Sequence, residues 1–236
     1  MAQALYREWF VEFRFPGHLQ IKMVSSAHGP HPEGWHWVQL GDVVQTVGGG
    51  TPSTDNPEFW TDGDITWFSP TDLTRAGGMF IKASAKRITR LGLACSSARL
   101  FPAYSVMMTS RATIGVIAIN TTPACTNQGF ITCLPNDQLS YMRLYYWIGQ
   151  NRQKITLMAS GATFKEINRT TFRGLPILVP DTQTARLFDE IVSTIGAQVE
   201  NLLVRNTSLR RTRDLLLPKL ISGEVDVESL DVAVAG

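Results

Sequence analysis

The sequence predicts an α+β fold with a mixed or antiparallel sheet, followed by a long α-helix that forms a coiled coil. Short strand-like runs, separated by turn residues, occupy the middle of the 236-residue chain. Near the C-terminus, five large apolar residues recur every seven positions, which indicates one long helix with a continuous apolar stripe. These two patterns divide the chain into a compact domain and a helical extension.

The N-terminal segment, residues 1–15, is predicted to be a short amphipathic helix, because Leu5, Trp9 and Phe13 recur every four residues. It ends in charged residues, as the C-terminal helix also does. This similarity favours the remnant of a central spacer helix, in a chain that is one half of a duplicated protein. Residues 16–34 are rich in Pro and Gly and have little periodicity, so they are predicted to be a linker.

The compact domain is predicted to span residues 35–180. Its strand-like runs are residues 37–40, 65–68, 79–81, 105–109, 114–119, 130–133 and 175–179. A glycine-rich loop, GGGTPSTDNP, follows the first run, at residues 48–57. Residues 141–157 are predicted to be a helix, with Leu144, Trp147, Ile148 and Ile155 on its apolar face.

Residues 181–218 carry the heptad pattern of a coiled-coil spacer or dimerisation helix, and residues 219–236 are predicted to be a C-terminal tail. The seam of this helix consists of Phe188, Val192, Ile195, Val199, Leu202, Asn206, Leu209, Arg213 and Leu216. One helix cannot bury such a stripe alone, so the pattern predicts a partner helix in this chain or in another. The polar Asn206 inside the seam does not decide whether the paired helices are parallel or antiparallel.

Composition argues against several enzyme classes. All four His residues lie within residues 18–36, which excludes a Ser-His or Cys-His nucleophilic centre inside the folded domain. His28, His31 and His36 match no metal-binding spacing, and the glycine-rich loop lacks the GK[ST] ending of a phosphate-binding loop. The three Cys residues form no CxxC pair, and no apolar stretch has the length of a membrane span. We therefore expect a cytoplasmic, non-catalytic protein with no metal, cofactor or membrane partner.

Polar and basic side chains concentrate in four predicted loops, at residues 82–90, 109–113, 126–129 and 160–173. Their Arg, Lys, Ser, Thr, Asn and Gln side chains are the types that contact phosphates and read base edges. The net charge of +2 permits a nucleic-acid partner without requiring one. Ordinary solvated loops with turn glycines explain the same composition.

Taken in order, several segments resemble half of the DNA-specificity subunit of type I restriction–modification enzymes. The resemblance covers nearly the whole chain from Trp35 onward. The matching segments are WVQLGDVVQTVGGGTPSTDNPEFW (37–60), GDITWFSPTDL (63–73), SRATIGVIAI (110–119), TNQGF (126–130), SGATFKEINRTTFRGLPILVP (160–180) and RDLLLPKLISGEVDV (213–227). The resemblance implies a DNA target-recognition domain at residues 35–180, attached to a spacer helix.

The resemblance also implies partners. A family subunit binds double-stranded DNA, and methyltransferase and restriction subunits assemble around it and carry out the chemistry. Such a subunit has two recognition domains and two antiparallel helices, whereas this chain has one domain and one full helix. We therefore expect either a fragment or a half-subunit that pairs with a second copy of itself. A two-fold dimer would bind an interrupted palindrome whose half-sites lie at most roughly 55 Å, or about 16 base pairs, apart.

The predicted DNA contacts follow from side-chain chemistry. Arg bonds bidentately to guanine, and Asn or Gln to adenine. The residues predicted to read base edges are Ser110, Arg111, Asn127, Gln128, Thr163 and Lys165, and those predicted to contact phosphates are Lys86, Arg87, Arg90, Arg169 and Arg173. Thr51 and Ser53 are predicted to form a turn rather than to read DNA.

An alternative function is a protein–protein adaptor. In that case the coiled coil and its Arg-rich end recruit a partner, and the compact domain binds no DNA. Binding that is insensitive to salt and to DNA sequence would favour the adaptor, since phosphate contacts impose a steep salt dependence.

Overall fold

The computed structural model describes residues 1–161 and 165–225. These residues form two units, the first spanning Met1–Val192 and the second beginning at Ser193. The first unit is a mixture of helices and mixed sheets, and the second is the later part of one long helix. The predicted α+β fold with a long C-terminal helix is therefore confirmed. No helix within the two described ranges is both long and apolar enough to cross a bilayer.

The N-terminal part of the first unit begins with helix α1 (Ala2–Phe10). Phe13 then adopts a left-handed φ of 57°, a conformation that cannot continue a right-handed helix. The predicted linker contains a 3₁₀ turn at His18–Gln20 and a hairpin of β1 (Met23–Val24) and β2 (His31–Pro32). Residues 16–34 therefore contain regular structure, and they belong to the same unit as the predicted domain.

Ten further strands form three sheets. They are β3 (His36–Gln39), β4 (Gln45–Gly48), β5 (Ile65–Phe68), β6 (Phe80–Ile81), β7 (Lys86–Ile88), β8 (Val106–Thr109), β9 (Ile117–Asn120), β10 (Ala124–Thr126), β11 (Phe130–Leu134) and β12 (Pro176–Val179). The largest sheet has the order β4-β11-β8-β9-β6, in which only the β6–β9 pair is parallel. A second sheet has the order β10-β5-β7 with a parallel β10–β5 pair, and β12 pairs antiparallel with β3.

The helices after α1 are α2 (Leu40–Val43), α3 (Pro70–Ala76), α4 (Arg90–Ala94), α5 (Tyr141–Leu157), α6 (Arg169–Arg173) and α7 (Thr182–Ile221). The predicted helix at residues 141–157 and the predicted strand at residues 65–68 have the predicted boundaries. Strands β4, β7 and β10 lie outside the predicted runs, and β7 occupies part of the predicted polar loop at residues 82–90. Helix α7 continues through Pro218, its predicted last residue, and ends three residues later at Ile221.

The core lies between the two larger sheets. Phe68 and Ala124 come from the three-stranded sheet, and they pack with Met107, Ala118 and Phe130 from the five-stranded sheet. Trp67, the neighbour of Phe68 along β5, joins a separate cluster on the other face of the three-stranded sheet. Successive residues of a strand point to opposite faces, so one strand supplies both clusters.

The first predicted seam residues pack inside the first unit rather than in a coiled coil. Phe188 and Val192 are fully buried, and the ring of Phe188 contacts those of Tyr6, Trp9 and Phe10 on α1 at centroid distances of 4.8 to 5.9 Å. Later seam positions are exposed, with Leu202 at 58%, Leu209 at 66% and Leu216 at 45%. The single seam predicted from the heptads therefore has a packed start and an exposed remainder. The helical period alone cannot distinguish these two environments.

Hydrogen bonds at Asp181 fix the start of α7. The Asp181 carboxylate accepts from the Thr184 amide at 2.9 Å and from the Thr184 hydroxyl at 2.7 Å, which is N-cap geometry. It also accepts from Nε1 of Trp35 at 3.0 Å, and the Trp35 ring is fully buried and stacked on Phe15. Burial alone would raise the pKa of Asp181, but the donated hydrogen bonds outweigh it and hold that pKa below its ordinary value.

We expect Asp181→Ala to lower the free energy of unfolding at pH 7 by about 1 kcal/mol, the usual cost of removing an N-cap side chain. The folded-state pKa is depressed, so the carboxylate stabilises the fold above its unfolded pKa and loses this effect as pH falls through the folded pKa. Urea denaturation at pH 7 and pH 3 should therefore show the difference from the wild type shrinking in acid. An equal difference at both pH values would contradict this explanation.

Candidate nucleic-acid interface

The sheet register brings several loops to one edge of the first unit. Thr109, the last residue of β8, pairs with Phe130 at the start of β11, and the next β11 residue, Ile131, pairs with Gly48 at the end of β4. Strand β10 ends nearby at Thr126, whose carbonyl oxygen accepts from the amide of Gly50 at 2.8 Å. We call this surface the polar edge and define it as residues 48–51, 110–113, 127–129, 160–161 and 165–169.

The backbone of Ser110 joins three loops of the polar edge. Its amide donates to the carbonyl oxygen of Gly129 at 2.8 Å, and its carbonyl oxygen accepts from the amide of Ile167 at 3.0 Å. Ser110 is 2% exposed and Ile167 is 1% exposed, so these bonds lie beneath the surface. The structure therefore places Ser110 below the surface of the edge, and its base-reading role stays a prediction.

A hydroxyl group shapes the turn that carries Arg111. The fully buried Thr109 hydroxyl donates to the carbonyl oxygen of Thr113 and accepts from the amide of Val116 at 3.0 Å. Ala112 adopts a φ of 60°, so the chain reverses direction beside Arg111. The Arg111 side chain is exposed on the outer side of this turn.

Arg111 forms an ion pair that sequence analysis did not predict. Its Nε and Nη2 atoms donate to Oε2 of Glu166 at 3.1 and 2.9 Å. The two residues also form a backbone bridge, and Glu166 forms a second bridge with Ser160. Lys165, beside Glu166, is exposed, and its carbonyl oxygen accepts from the amide of Ala112 at 3.4 Å.

The glycine-rich loop packs directly on the 127–129 loop. The Thr51 hydroxyl donates to Oε1 of Gln128 at 2.6 Å, so Thr51 does more than form the turn predicted for it. Oδ1 of Asn127 accepts from the backbone amide of Gly129 at 2.9 Å. The side-chain nitrogen of Asn127, Nδ2, takes no part in that bond. Gly49 lies against the backbone of Asn127 so closely that a Cβ atom would overlap its carbonyl oxygen.

The predicted phosphate contacts are dispersed. Arg169 reaches the polar edge, where its Nη1 atom lies 3.9 Å from the position that a Cβ atom on Gly48 would occupy. Lys86 and Arg87 lie on β7, two strands away from β10, and Lys86 Nζ is 5.4 Å from the centre of the Trp60 ring. Arg90 begins α4, outside the polar edge.

Arg173 has a backbone partner in the structure. Its Nη2 atom donates to the carbonyl oxygen of Gly41 at 2.7 Å, and its side chain packs against Gly41. Thr163 lies outside the described residues. Of the eleven predicted DNA contacts, Arg111, Asn127, Gln128, Lys165 and Arg169 lie together at the polar edge with exposed or half-buried side chains.

Two residues near the predicted contacts were missed. Glu166 pairs with a residue 55 positions away, and nothing in the local sequence indicates this. Arg152 of α5 packs against the turn after Arg111, where a Cβ on Gly115 would lie 2.8 Å from Arg152 Cγ. Gly115 has a φ of +82°, and a glycine in a basic loop is the one local signal of such a close approach.

Two cysteines of the core, Cys125 and Cys133, are buried. Burial raises the pKa of the Cys125 and Cys133 thiols to about 12, so both are protonated at neutral pH. Within residues 1–161 and 165–225, no three His, Cys, Asp or Glu side chains are grouped as metal ligands. The chemistry available at the polar edge is hydrogen bonding and charge.

Solved structures share this fold. The HsdS subunit from Thermoanaerobacter tengcongensis aligns with 95% of the chain at a TM-score of 0.55 and 22% identity, and the chain covers 50% of that protein. The type I restriction–modification S subunit from M. genitalium aligns with 80% of the chain at a TM-score of 0.56 and 17% identity, with 46% of that protein covered. The fold is thus that of type I specificity subunits.

Sequence comparison identifies the family. The family model described as "Type I restriction modification DNA specificity domain" matches residues 32–206. The chain is 31% identical over 205 residues to the MjaIX specificity subunit of Methanocaldococcus jannaschii, and 30% identical over 197 residues to the HindI specificity subunit of Haemophilus influenzae. These alignments cover 86% and 82% of this chain. The chain belongs to the type I restriction–modification DNA specificity family, as its motifs predicted.

The chain spans about half the length of the curated relatives that it matches. The alignments cover 46% of the M. jannaschii subunit and 42% of the H. influenzae subunit. The matched part of this chain includes the first unit from residue 32 and the first turns of α7 beyond it.

We expect Gly49→Ala to lower the free energy of unfolding by about 2 kcal/mol or more, because the new methyl group would overlap backbone oxygen atoms of Thr126 and Asn127. Thermal or urea denaturation measures this loss. The matched control is Gly78→Ala, where the nearest atom to a Cβ is 3.8 Å away. Equal stability of the two variants would contradict the close packing of the glycine-rich loop on residues 126–127.

Proposed function

We propose that this chain recognises one half of an interrupted DNA site through its polar edge. The observation that carries the proposal is the convergence of Arg111, Asn127, Gln128, Lys165 and Arg169, which come from three separate loops, on one surface. The curated relatives are named as specificity subunits of type I restriction enzymes, which supports a DNA-reading role.

The side chains of the polar edge fall into two groups, one suited to reading bases and one suited to contacting phosphates. Arg111, Asn127 and Gln128 have the donors and acceptors that read guanine and adenine in the major groove. Lys165 and Arg169 are exposed cations, which suit phosphate contacts that position the protein without reading sequence. Ser110 holds the loops through its backbone, and we assign it a structural role.

We further propose that the chain is itself non-catalytic. Methyltransferase and restriction subunits would bind beside it and carry out methylation and cleavage. The relatives named as specificity subunits support this assignment, since a specificity subunit supplies recognition to a larger enzyme.

We also propose that the chain pairs with a second copy of itself through the exposed part of α7. Leu202, Leu209 and Leu216 present a seven-residue apolar repeat that is uncovered in one chain. A second copy would supply the other half of the length found in the relatives, and a two-fold pair would present two polar edges to a gapped palindrome. The proposals of DNA reading and of self-pairing hold for either a parallel or an antiparallel orientation of the paired helices.

We expect Arg111→Ala to reduce the preference for guanine at one base pair of the selected site between about fivefold and a hundredfold, the range of a bidentate contact. The full chain would first select its site from a randomised duplex pool, and competition binding would then compare single-base variants. The control is Arg90→Ala, an exposed arginine outside the polar edge, which should leave base preference unchanged.

Two outcomes would count against DNA reading. If Arg111→Ala kept the full base preference, Arg111 would not be a reader. If the wild-type chain enriched no sequence and its binding did not respond to salt, the protein–protein adaptor would be favoured, because phosphate contacts make binding strongly salt-dependent.

We expect Leu209→Asp to convert a dimer into a monomer, because it places a charge in the middle of the apolar repeat. Light scattering behind a sizing column should give about twice the chain mass of 26.2 kDa for the wild type and about one chain mass for the variant. Thr207→Asp controls for the added charge, because Thr207 is exposed and lies outside the seam positions of the repeat. A monomeric wild type would overturn self-pairing and leave DNA reading untouched.

A further inference from the structure

We infer that Glu166 is a positioning residue that aims the Arg111 guanidinium group at guanine. This inference rests on the proposed DNA-reading function and deepens it, since it names a residue that sets base preference without touching the base. Glu166 was not among the predicted DNA contacts. Its role is argued from the geometry of the ion pair, the support of its backbone and the charge that it removes.

The ion pair occupies one edge of the guanidinium group and leaves the other free. A guanidinium has five N–H bonds, and Oε2 of Glu166 accepts those of Nε and one of Nη2. Three N–H bonds remain, two on Nη1 and one on Nη2. These form the outer end of the group, which has the spacing to bind the O6 and N7 atoms of guanine together.

The backbone of Glu166 is held on two sides. Its amide donates to the carbonyl oxygen of Ser160 at 2.9 Å, and its carbonyl oxygen accepts from the amide of Ser160 at 3.0 Å. Glu166 also forms a backbone bridge with Arg111. The next residue, Ile167, is buried, and its amide donates to the carbonyl oxygen of Ser110. The backbone of Glu166 is therefore held beside the turn that carries Arg111, within reach of its guanidinium group. An ion pair between the two side chains restricts the rotamers of the long arginine side chain before DNA arrives, which reduces the entropy lost on binding.

The pair has little value for stability. The side chains of Arg111 and Glu166 are 44% and 36% exposed, and ion pairs at such positions are screened by water and salt. A second consequence is electrostatic, because Glu166 cancels the charge of Arg111 toward the phosphates of any DNA sequence. Glu166 therefore weakens the binding of DNA of any sequence and strengthens the preference for one base over another.

These two effects of Glu166 predict that its removal changes two measured quantities in opposite directions. Removing Glu166 should strengthen binding to unrelated DNA and weaken the preference for guanine. A residue that only maintained the fold would, on removal, weaken both. The control for charge is Glu33→Gln, an exposed acidic residue after β2 and outside the polar edge.

The experiment compares the wild-type chain with Glu166→Gln, Glu166→Ala and Glu33→Gln. Each protein is titrated with the duplex selected by the wild type, with its single-base variants and with an unrelated duplex, at several salt concentrations. We expect Glu166→Ala to reduce the guanine preference at the Arg111-dependent base pair about tenfold, within the range of a bidentate contact. Glu166→Gln keeps an oxygen acceptor and should lose less.

Both Glu166 variants should bind the unrelated duplex more tightly than Glu33→Gln does, with a salt slope steeper by about one. In the background of Arg111→Ala, Glu166→Ala should leave base preference unchanged, because no guanidinium remains to be positioned. Thermal denaturation should show that all these variants fold.

The outcomes separate this inference from the proposed function. If the wild type selects a sequence and both Glu166 variants keep its guanine preference, the positioning role is overturned and DNA reading stands. The positioning role is also overturned if Glu166→Ala changes base preference equally with and without Arg111. If the wild type selects no sequence at all, the proposed function itself fails.

Discussion

The two backbone hydrogen bonds of Ser110 are the constraint on which the polar edge depends. One joins the β8 end to the 127–129 loop, and the other joins it to the segment that contains Glu166. Both are possible because the β8–β11 register sets Thr109 opposite Phe130, so that adjacent loops leave the sheet side by side. Backbone bonds in a buried position cost little side-chain entropy, and they hold the loops at fixed separations. The exposed side chains of the edge can then differ in chemistry without a change in the support beneath them.

Helix α7 has two different environments along its length. Its start is fixed within the first unit by the Asp181 cap, the bond from Trp35 and the burial of Phe188 among the rings of α1. Arg143, buried on α5, adds an ion pair at 3.0 Å to Asp189. Beyond Val192, the repeat residues Leu202, Leu209 and Leu216 are exposed. A helix that is anchored at one end and carries an uncovered stripe at the other is suited to join the recognition unit to a partner, which is the role that we propose for it.

Much of this fold could be predicted because several elements have strong local signals. Strand β5 is an apolar run between turns, and α5 has a helical period over 17 residues. Strands β4 (QTVG), β7 (KRI) and β10 (ACT) lack such an apolar run, and pairing with neighbours defines them. The polar loops of the edge were identified by composition, but the burial of Ser110 and the pairing of Glu166 depend on contacts between distant segments. The heptad pattern likewise identified α7 and not the aromatic rings that cover Phe188.

The central claim is that DNA lies on the polar edge. The most direct measurement is photo-crosslinking of the full chain to duplexes that carry a diazirine-modified thymine, which reacts with any nearby side chain, followed by mass spectrometry of the attached peptides. We expect crosslinks within residues 110–113, 127–129 and 165–169, and their loss when an unlabelled specific duplex competes. Crosslinks confined to α7 beyond Val192, or crosslinks spread evenly over the exposed lysines and arginines, would contradict it.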